Sequence, residues 1–404
     1  VSYRSVLAVP DFRAVFAAHL LSTLGVVVGE IALSVLVFRR TGSPLLTALT
    51  FALGLLPYVV GGTVLSAVAD RLPARRVMVV CDLICACAAA GLVVPGMPIA
   101  GLLLLRCLLA AVAPVFAGTR AAALADVLPA DVFPLGNSLL RVVNQTAQLT
   151  GFGAGGLLLA ALEPRTVLAV TVLTFLASAT LIRSALPARP PRVAAANATR
   201  TRLLTASLSG ATHLARIPRL RALYLLAWIP PMFVVVSEAL LTPYSATLRT
   251  TPAGLGLLLT GMPIGAVGAS LLAGTFLSPS ARTRLSAPIV LLATLPPLAY
   301  VTHPSLPWAL LIQIGIGAGV VYTFGLDHWF LDAVPEPLRG RALTLLTAGA
   351  MTSQGLGMTL AGTAAEFAPV HLVIATGGAA ALLTNALVLR YVARTRQRPG
   401  PVTP

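Results

Sequence analysis

The chain has 404 residues, of which 57% are hydrophobic and only 10% charged, and its mean hydropathy is +0.91. Soluble domains carry about 25% charge, so this composition excludes a water-soluble globular protein and requires an integral membrane one. The formal charge of +16 would point to nucleic acid in a soluble chain, but here the arginines fall between apolar runs, where the positive-inside rule expects them, and nucleic-acid binding is set aside.

All 28 basic residues are Arg and none is Lys, a bias that fits a GC-rich bacterial genome and says nothing of function. A short polar and basic lead, Val1 to Arg13, precedes the first apolar run, and no cleavable signal peptide is evident. About 20 mainly apolar residues cross a bilayer. That length predicts twelve spans, near 14 to 38, 45 to 67, 77 to 95, 99 to 118, 138 to 161, 166 to 183, 221 to 242, 254 to 277, 286 to 302, 307 to 330, 342 to 365 and 371 to 390. Lipid offers backbone groups no hydrogen bonds, so runs of this length are expected as helices, giving an all-α integral membrane fold.

With the amino terminus inside, inner segments collect Arg4, Arg13, Arg71, Arg75, Arg76, Arg120, Arg282, Arg284, Arg339 and Arg341, while outer loops hold only Arg39, Arg40, Arg165 and Arg249. Both termini are therefore expected in the cytoplasm of a multi-pass protein of the cell (inner) membrane. The expected organisation is a six-helix bundle over 1–185, a basic cytoplasmic linker over 186–219 lying on the anionic inner leaflet, and a second six-helix bundle with a short basic tail over 220–404. Asn197-Ala-Thr199 fits a glycosylation sequon without consequence on such a loop. Cys81, Cys85, Cys87 and Cys107 have no His or carboxylate pattern to complete a metal site, so no metal and no cofactor are expected.

An internal repeat relates the halves. Asp126-Val-Leu-Pro129 recurs 206 residues later as Asp332-Ala-Val-Pro335, and the same offset carries Gln148 onto Gln354, Gly151 onto Gly357 and Gly156 onto Gly362. Each copy joins an inner loop to a glycine-faced helix.

Three stretches carry a family resemblance. Ser66-Ala-Val-Ala-Asp70-Arg71-Leu-Pro-Ala-Arg75-Arg76 between spans 2 and 3 resembles the signature loop of the major facilitator superfamily, although the family's glycines are missing. Gly151-Phe-Gly153-Ala-Gly155-Gly156 is similar to the core of its antiporter signature, with Phe152 where the family has Pro. Asp332-Ala-Val-Pro335-Glu336-Pro-Leu-Arg339-Gly340-Arg341 looks like the loop between spans 10 and 11 of its twelve-span drug/proton antiporters, in the branch that includes macrolide-efflux and enterobactin-export proteins. The resemblance implies two pseudo-symmetric six-helix bundles, and a cytoplasmic latch of Asp70, Arg71, Arg75, Arg76, Asp332, Arg339 and Arg341. It also implies that spans 1, 4, 7 and 10 line a central cavity. Gly151, Gly155, Gly156, Gly357 and Gly362 are expected as helix-packing positions, where close approach needs no side chain between helices.

Charges inside the membrane are expensive and mark function by default. Glu30 in span 1 and Glu238 in span 7 are 208 residues apart, at nearly equivalent points of the two halves. Each lies roughly 24 Å above its inner end at about 1.5 Å per residue. Arg106 of span 4 falls near the level of Glu30, and a carboxylate beside an arginine in an apolar cavity suits a group that loads and releases a proton. These three are the proton-coupling candidates; snorkelling to the outer interface, or plain neutralisation of Glu30 by Arg106, is the alternative. Arg141, Asn144, Gln145 and Gln148 recur along one side of span 5, and with Asp327 and His328 of span 10 they are cavity candidates; each can instead bond neighbouring helices or the interface. His19, low in span 1, reads as a bonded core histidine, and Asp82 as packing near the arginine loop.

No catalytic constellation or nucleotide-binding loop is present in context, and an enzyme is not expected. The function expected is secondary active transport by alternating access: proton-coupled export of a small amphipathic organic compound by a monomer embedded in membrane lipid. A siderophore exporter, a solute or lipid transporter of the same fold, and a non-transporting receptor are the alternatives.

Overall fold

The structure, a computed structural model, describes residues 6–57, 72–128, 133–187 and 217–396. Within them the chain forms α1 (Pro10–Thr41), α2 (Pro44–Ala52), α3 (Ala74–Val93), α4 (Ile99–Val127), α5 (Phe133–Ala161) and α6 (Pro164–Ala185). The series continues with α7 (Pro218–Thr247), α8 (Pro252–Phe276), α9 (Pro279–Leu292), α10 (Leu306–Ala333), α11 (Arg339–Ala365) and α12 (Val370–Arg396). No strand occurs among the described residues. The fold is all-α, one helix for each expected span.

Helices overrun the apolar runs because hydropathy marks only the part in hydrocarbon, whereas a helix continues until something caps it. Thr41-Gly42-Ser43-Pro44 is such a boundary. Gly42 takes φ +64° and its N–H bonds the Phe38 carbonyl, ending α1, a left-handed conformation that costs glycine nothing. Ser43 then accepts the Leu46 N–H on its side chain and Pro44 opens α2. Ser278 and Pro279 repeat this start for α9, and Arg282 closes the end of α8 by donating from Nε to the Ala273 and Leu277 carbonyls, at 3.1 and 3.0 Å. The ninth span departs from the expected single helix. Pro296 and Pro297 supply no N–H, α9 stops at Leu292, and the chain finishes its crossing as a 3-10 helix over Pro296–Thr302.

Nine of the described helices are long and apolar enough to cross a membrane: α1, α3, α4, α6 to α10 and α12. α5 is diluted by Arg141, Asn144, Gln145 and Gln148, and α11 by Arg339, Arg341 and its threonines. The described part of α2 has 9 residues.

The chain gathers into two compact units, one of Val1–Ala194 with Ser245–Thr260, the other of Ala195–Tyr244 with Gly261–Pro404. Unit 1 packs α1 on α6, α3 on α6 and α1 on α5, around apolar clusters such as Val15, Ala18, Met78 and Ile182. Unit 2 has a cluster drawn from α7, α9, α10, α11 and α12, with Leu223, Tyr224, Val290, Phe330, Ala342 and Val388 at its heart.

The internal repeat is written into helix crossings. In unit 1 a Cβ on Gly29 of α1 would lie 3.0 Å from Thr171 Oγ1 on α6; in unit 2 a Cβ on Gly377 of α12 would lie 3.1 Å from Val236 of α7. The two pairs are 207 and 206 residues apart, with the small residue on opposite partners. Gly54 packs against Arg106, and Gly261, 207 residues later, packs against Gln313, which is 207 residues after Arg106. Gly151 of α5 abuts Val27 of α1, as Gly357 of α11 abuts Met232 of α7.

Candidate functional site

Glu30 and Arg106 meet inside unit 1. Arg106 Nη2 donates to Glu30 Oε1 at 2.5 Å, and the side chains are 17% and 7% exposed. Arg106 Nε donates to the Thr50 carbonyl at 2.9 Å, so the guanidinium spans α1 and α2 from α4. Gly54 leaves the room: a Cβ there would collide with Arg106 Nη2. A narrow cleft, with room for about one water molecule, lies beside the pair, walled by Leu33, Leu92, Leu168 and Phe175 and also lined by Thr171. The Thr171 hydroxyl is buried and has no hydrogen-bond partner among the described residues. An ion pair in apolar surroundings tolerates removal of either member poorly, because the other is left as a bare buried charge.

The second carboxylate does not duplicate the first. With the halves aligned on Gly54/Gly261 and Arg106/Gln313, the residue at the place of Glu30 is Ser237, and Glu238 is one residue further, turned about 100° round the helix. Ser237 is buried and its hydroxyl bonds the Val234 carbonyl at 3.2 Å. Glu238 is half-buried.

A polar network that sequence reasoning did not assemble joins α1, α4 and α5. Arg120 donates to His19 Nδ1, which places the imidazole proton on Nε2, donating to Asn144 Oδ1 at 2.9 Å. Thr23 Oγ1 sits 3.1 Å from the same Nδ1 and donates to the His19 carbonyl at 2.7 Å. Asn144 is thus tied to a neighbouring helix, whereas Gln145 and Gln148 on the same helix are exposed. Asp82 is also placed differently from expectation. It is buried and accepts a 2.6 Å hydrogen bond from Ser178 of α6, away from the arginine loop.

The latch residues are not assembled by the described structure. Asp70 and Arg71 lie outside the described residues, as does most of the basic linker. Arg75 donates to the Arg183 carbonyl at the end of α6, and Arg339 to the Leu331 carbonyl of α10 at 3.5 Å, cations placed at helix C-termini where the dipole favours them. Arg76 is exposed. His328 and Asp332 form an exposed i,i+4 pair at 3.5 Å, of a kind worth little, and Asp327 is exposed beside them.

Most of the glycines serve packing within their own unit. Gly151 and Gly155 face Val27 and Ile31 of α1, and Gly357 faces the backbone of Met232. Gly156 meets the part of α8 that belongs to the same unit, where a Cβ would lie 2.6 Å from the Gly256 Cα, so the two backbones touch. Gly362 is buried in α11.

The family model of the Major Facilitator Superfamily matches residues 15–327. The multidrug efflux pump Tap of Mycolicibacterium fortuitum is 27% identical over 361 residues, covering 83% of this chain and 84% of that protein. The crystal structure of a POT peptide transporter in complex with sulfate superposes with a TM-score of 0.72 at 12% identity, over 99% of this chain and 100% of that one. The inward-open xylose transporter XylE of E. coli superposes at 0.67 and 14% identity, over 94% and 96%. At such identities the solved structures speak for the fold alone. Multi-pass apolar helices, a repeated half and a family match over most of the length converge: the chain belongs to the Major Facilitator Superfamily and is a membrane transporter.

Proposed function

We propose that this transporter exports a small amphipathic organic compound and that proton movement through Glu30 drives it. The observation that carries this is the Glu30–Arg106 pair at 2.5 Å in an apolar setting. A carboxylate held by a guanidinium can exchange its ionic bond for a proton, and each exchange frees Arg106 and alters what holds α1 to α2 and α4. The cleft beside the pair, with the Thr171 hydroxyl in its wall, supports proton access to it. An efflux reading agrees with the name of the Mycolicibacterium relative, and an apolar interior with few polar anchors suits an amphipathic cargo better than a sugar or a phosphate. Alternating access would move the two bundles about a midplane site. In this reading the protein works as a monomer in the inner membrane with both termini cytoplasmic, and the arginine-rich inner loops close the cytoplasmic side.

The test is gradient-driven flux in proteoliposomes. Wild-type protein should move ethidium against its gradient when a proton gradient is imposed, and Glu30→Gln, which leaves Arg106 without its anion and so lowers detergent stability, should still fold and reconstitute but abolish that movement. Wild-type flux in Glu30→Gln would remove Glu30 from the mechanism.

A further inference from the structure

Gln313 lies in α10, within an apolar run, and is 0% exposed. Neither its Nε2 nor its Oε1 has a hydrogen-bond partner among the described residues. A buried amide left unpaired is costly, most of all where no water is at hand, so such a group calls for an explanation. Its setting is close-packed. Gly261 of α8 leaves the space for its Cβ, 2.6 Å from where a glycine substituent would stand. Just beyond it, Gly265 abuts the Ile314 carbonyl and Gly317 abuts the Met262 carbonyl, so α8 and α10 cross at backbone contact next to Gln313.

The repeat defines what this position is. Gln313 occupies in unit 2 the place that Arg106 occupies in unit 1, against Gly261 in place of Gly54, and Ser237 stands where Glu30 does. The charged site has become a neutral one with its hydrogen bonds unmade. We propose that Gln313 is a cargo-binding residue that takes a neutral edge carrying a donor and an acceptor side by side: a primary amide, lactam, primary urethane or protonated acid of the exported compound. The inference rests on the export function proposed above and assigns its recognition to unit 2. A primary amide presents one N–H and one C=O in the same plane, so it pairs with such an edge through two hydrogen bonds and discriminates against compounds that lack either group. The site is sealed in this conformation, and the three side-chain torsions of glutamine let the amide swing out when α8 and α10 part.

The test compares wild type with Gln313→Leu and the nearly isosteric Gln313→Met, in purified and reconstituted protein. Thermal unfolding without cargo reads whether the amide is idle in the free protein: both variants should gain about 3 °C or more. Proton-driven flux is then measured for novobiocin, which carries a primary urethane, and for ethidium, a cation with no carbonyl. Novobiocin flux should fall at least tenfold in both variants, with ethidium flux unchanged. A lower Tm in Gln313→Met would mean the amide has a structural partner and would overturn the assignment. Equal loss of both probes, or loss of neither, would overturn it as well. Wild type that moves ethidium but not novobiocin refutes the role of Gln313 alone, whereas wild type that moves neither refutes the export reading and the assignment with it.

Discussion

Unit 1 sets a charged pair, Glu30 and Arg106, at the position where unit 2 sets Ser237 and Gln313, although both rest on a glycine in the adjoining helix, Gly54 in one and Gly261 in the other. The inner ends differ in the same way. Unit 1 links α1, α4 and α5 through His19, Arg120 and Asn144, whereas unit 2 links α7, α10 and α11 through rings. There Tyr224 stacks on Trp228 at 5.2 Å and meets Phe330 edge-on at 5.4 Å, and Trp228 donates to the Leu346 carbonyl at 3.0 Å. Backbone approach is the shared constraint, because a missing Cβ cannot be replaced by adjustment elsewhere. Side-chain chemistry at the same places is free to diverge, and it has diverged toward charge in one unit and toward aromatic and neutral groups in the other.

Arg106→Leu should have the largest effect. It strands the Glu30 carboxylate in apolar surroundings, a loss of about 3–5 kcal/mol, while the matching exchange in unit 2, Gln313→Leu, raises stability. Thermal unfolding of both in the same detergent reads the opposite signs, and an Arg106→Leu protein as stable as wild type would break the contrast. Next come Gly29→Ala and Gly377→Ala, each overfilling one copy of the repeated crossing at about 1–3 kcal/mol. Val236→Ala should restore much of the loss in Gly377→Ala, since there the bulk sits on α7; failure of that rescue would mean the crossing is not what the second copy conserves. The smallest effect is expected of Trp228→Phe, which keeps the stack and removes one hydrogen bond, about 1 kcal/mol. A loss well above that in chemical unfolding would show that the indole shape, beyond its N–H, sets the packing of α7 on α11.

Much of the site was legible in residue order. A glutamate and an arginine in two apolar runs, at matching depth, were enough to expect Glu30 and Arg106 together, because any charge in hydrocarbon needs a partner. The equivalence of Glu30 with Glu238 did not survive, since a repeat offset read from loops is uncertain by one or two residues, and one residue on a helix is a rotation of about 100°. The partners of Asp82 and Asn144 could not be named from residue order, because Ser178 and His19 are 96 and 125 residues away. Gln313 had a usable signal, a lone amide in an otherwise apolar α10, but no local pattern says whether such a group is bonded.

Hydropathy by itself determined that this chain crosses a membrane as helices and predicted twelve of them, because lipid allows the backbone no other long apolar structure, and the residue repeat related the two halves. Only the tertiary structure decided which faces meet. Gly151 packs on Val27 and Gly357 on Met232, each inside its own unit. Arg75 and Arg339 cap helix ends, and the repeat pairs Arg106 with Gln313. The reason is physical: in a bundle whose helices are apolar on most sides, the hydrophobic pattern carries little rotational information, so the crossing points of glycines and the few polar groups set the register.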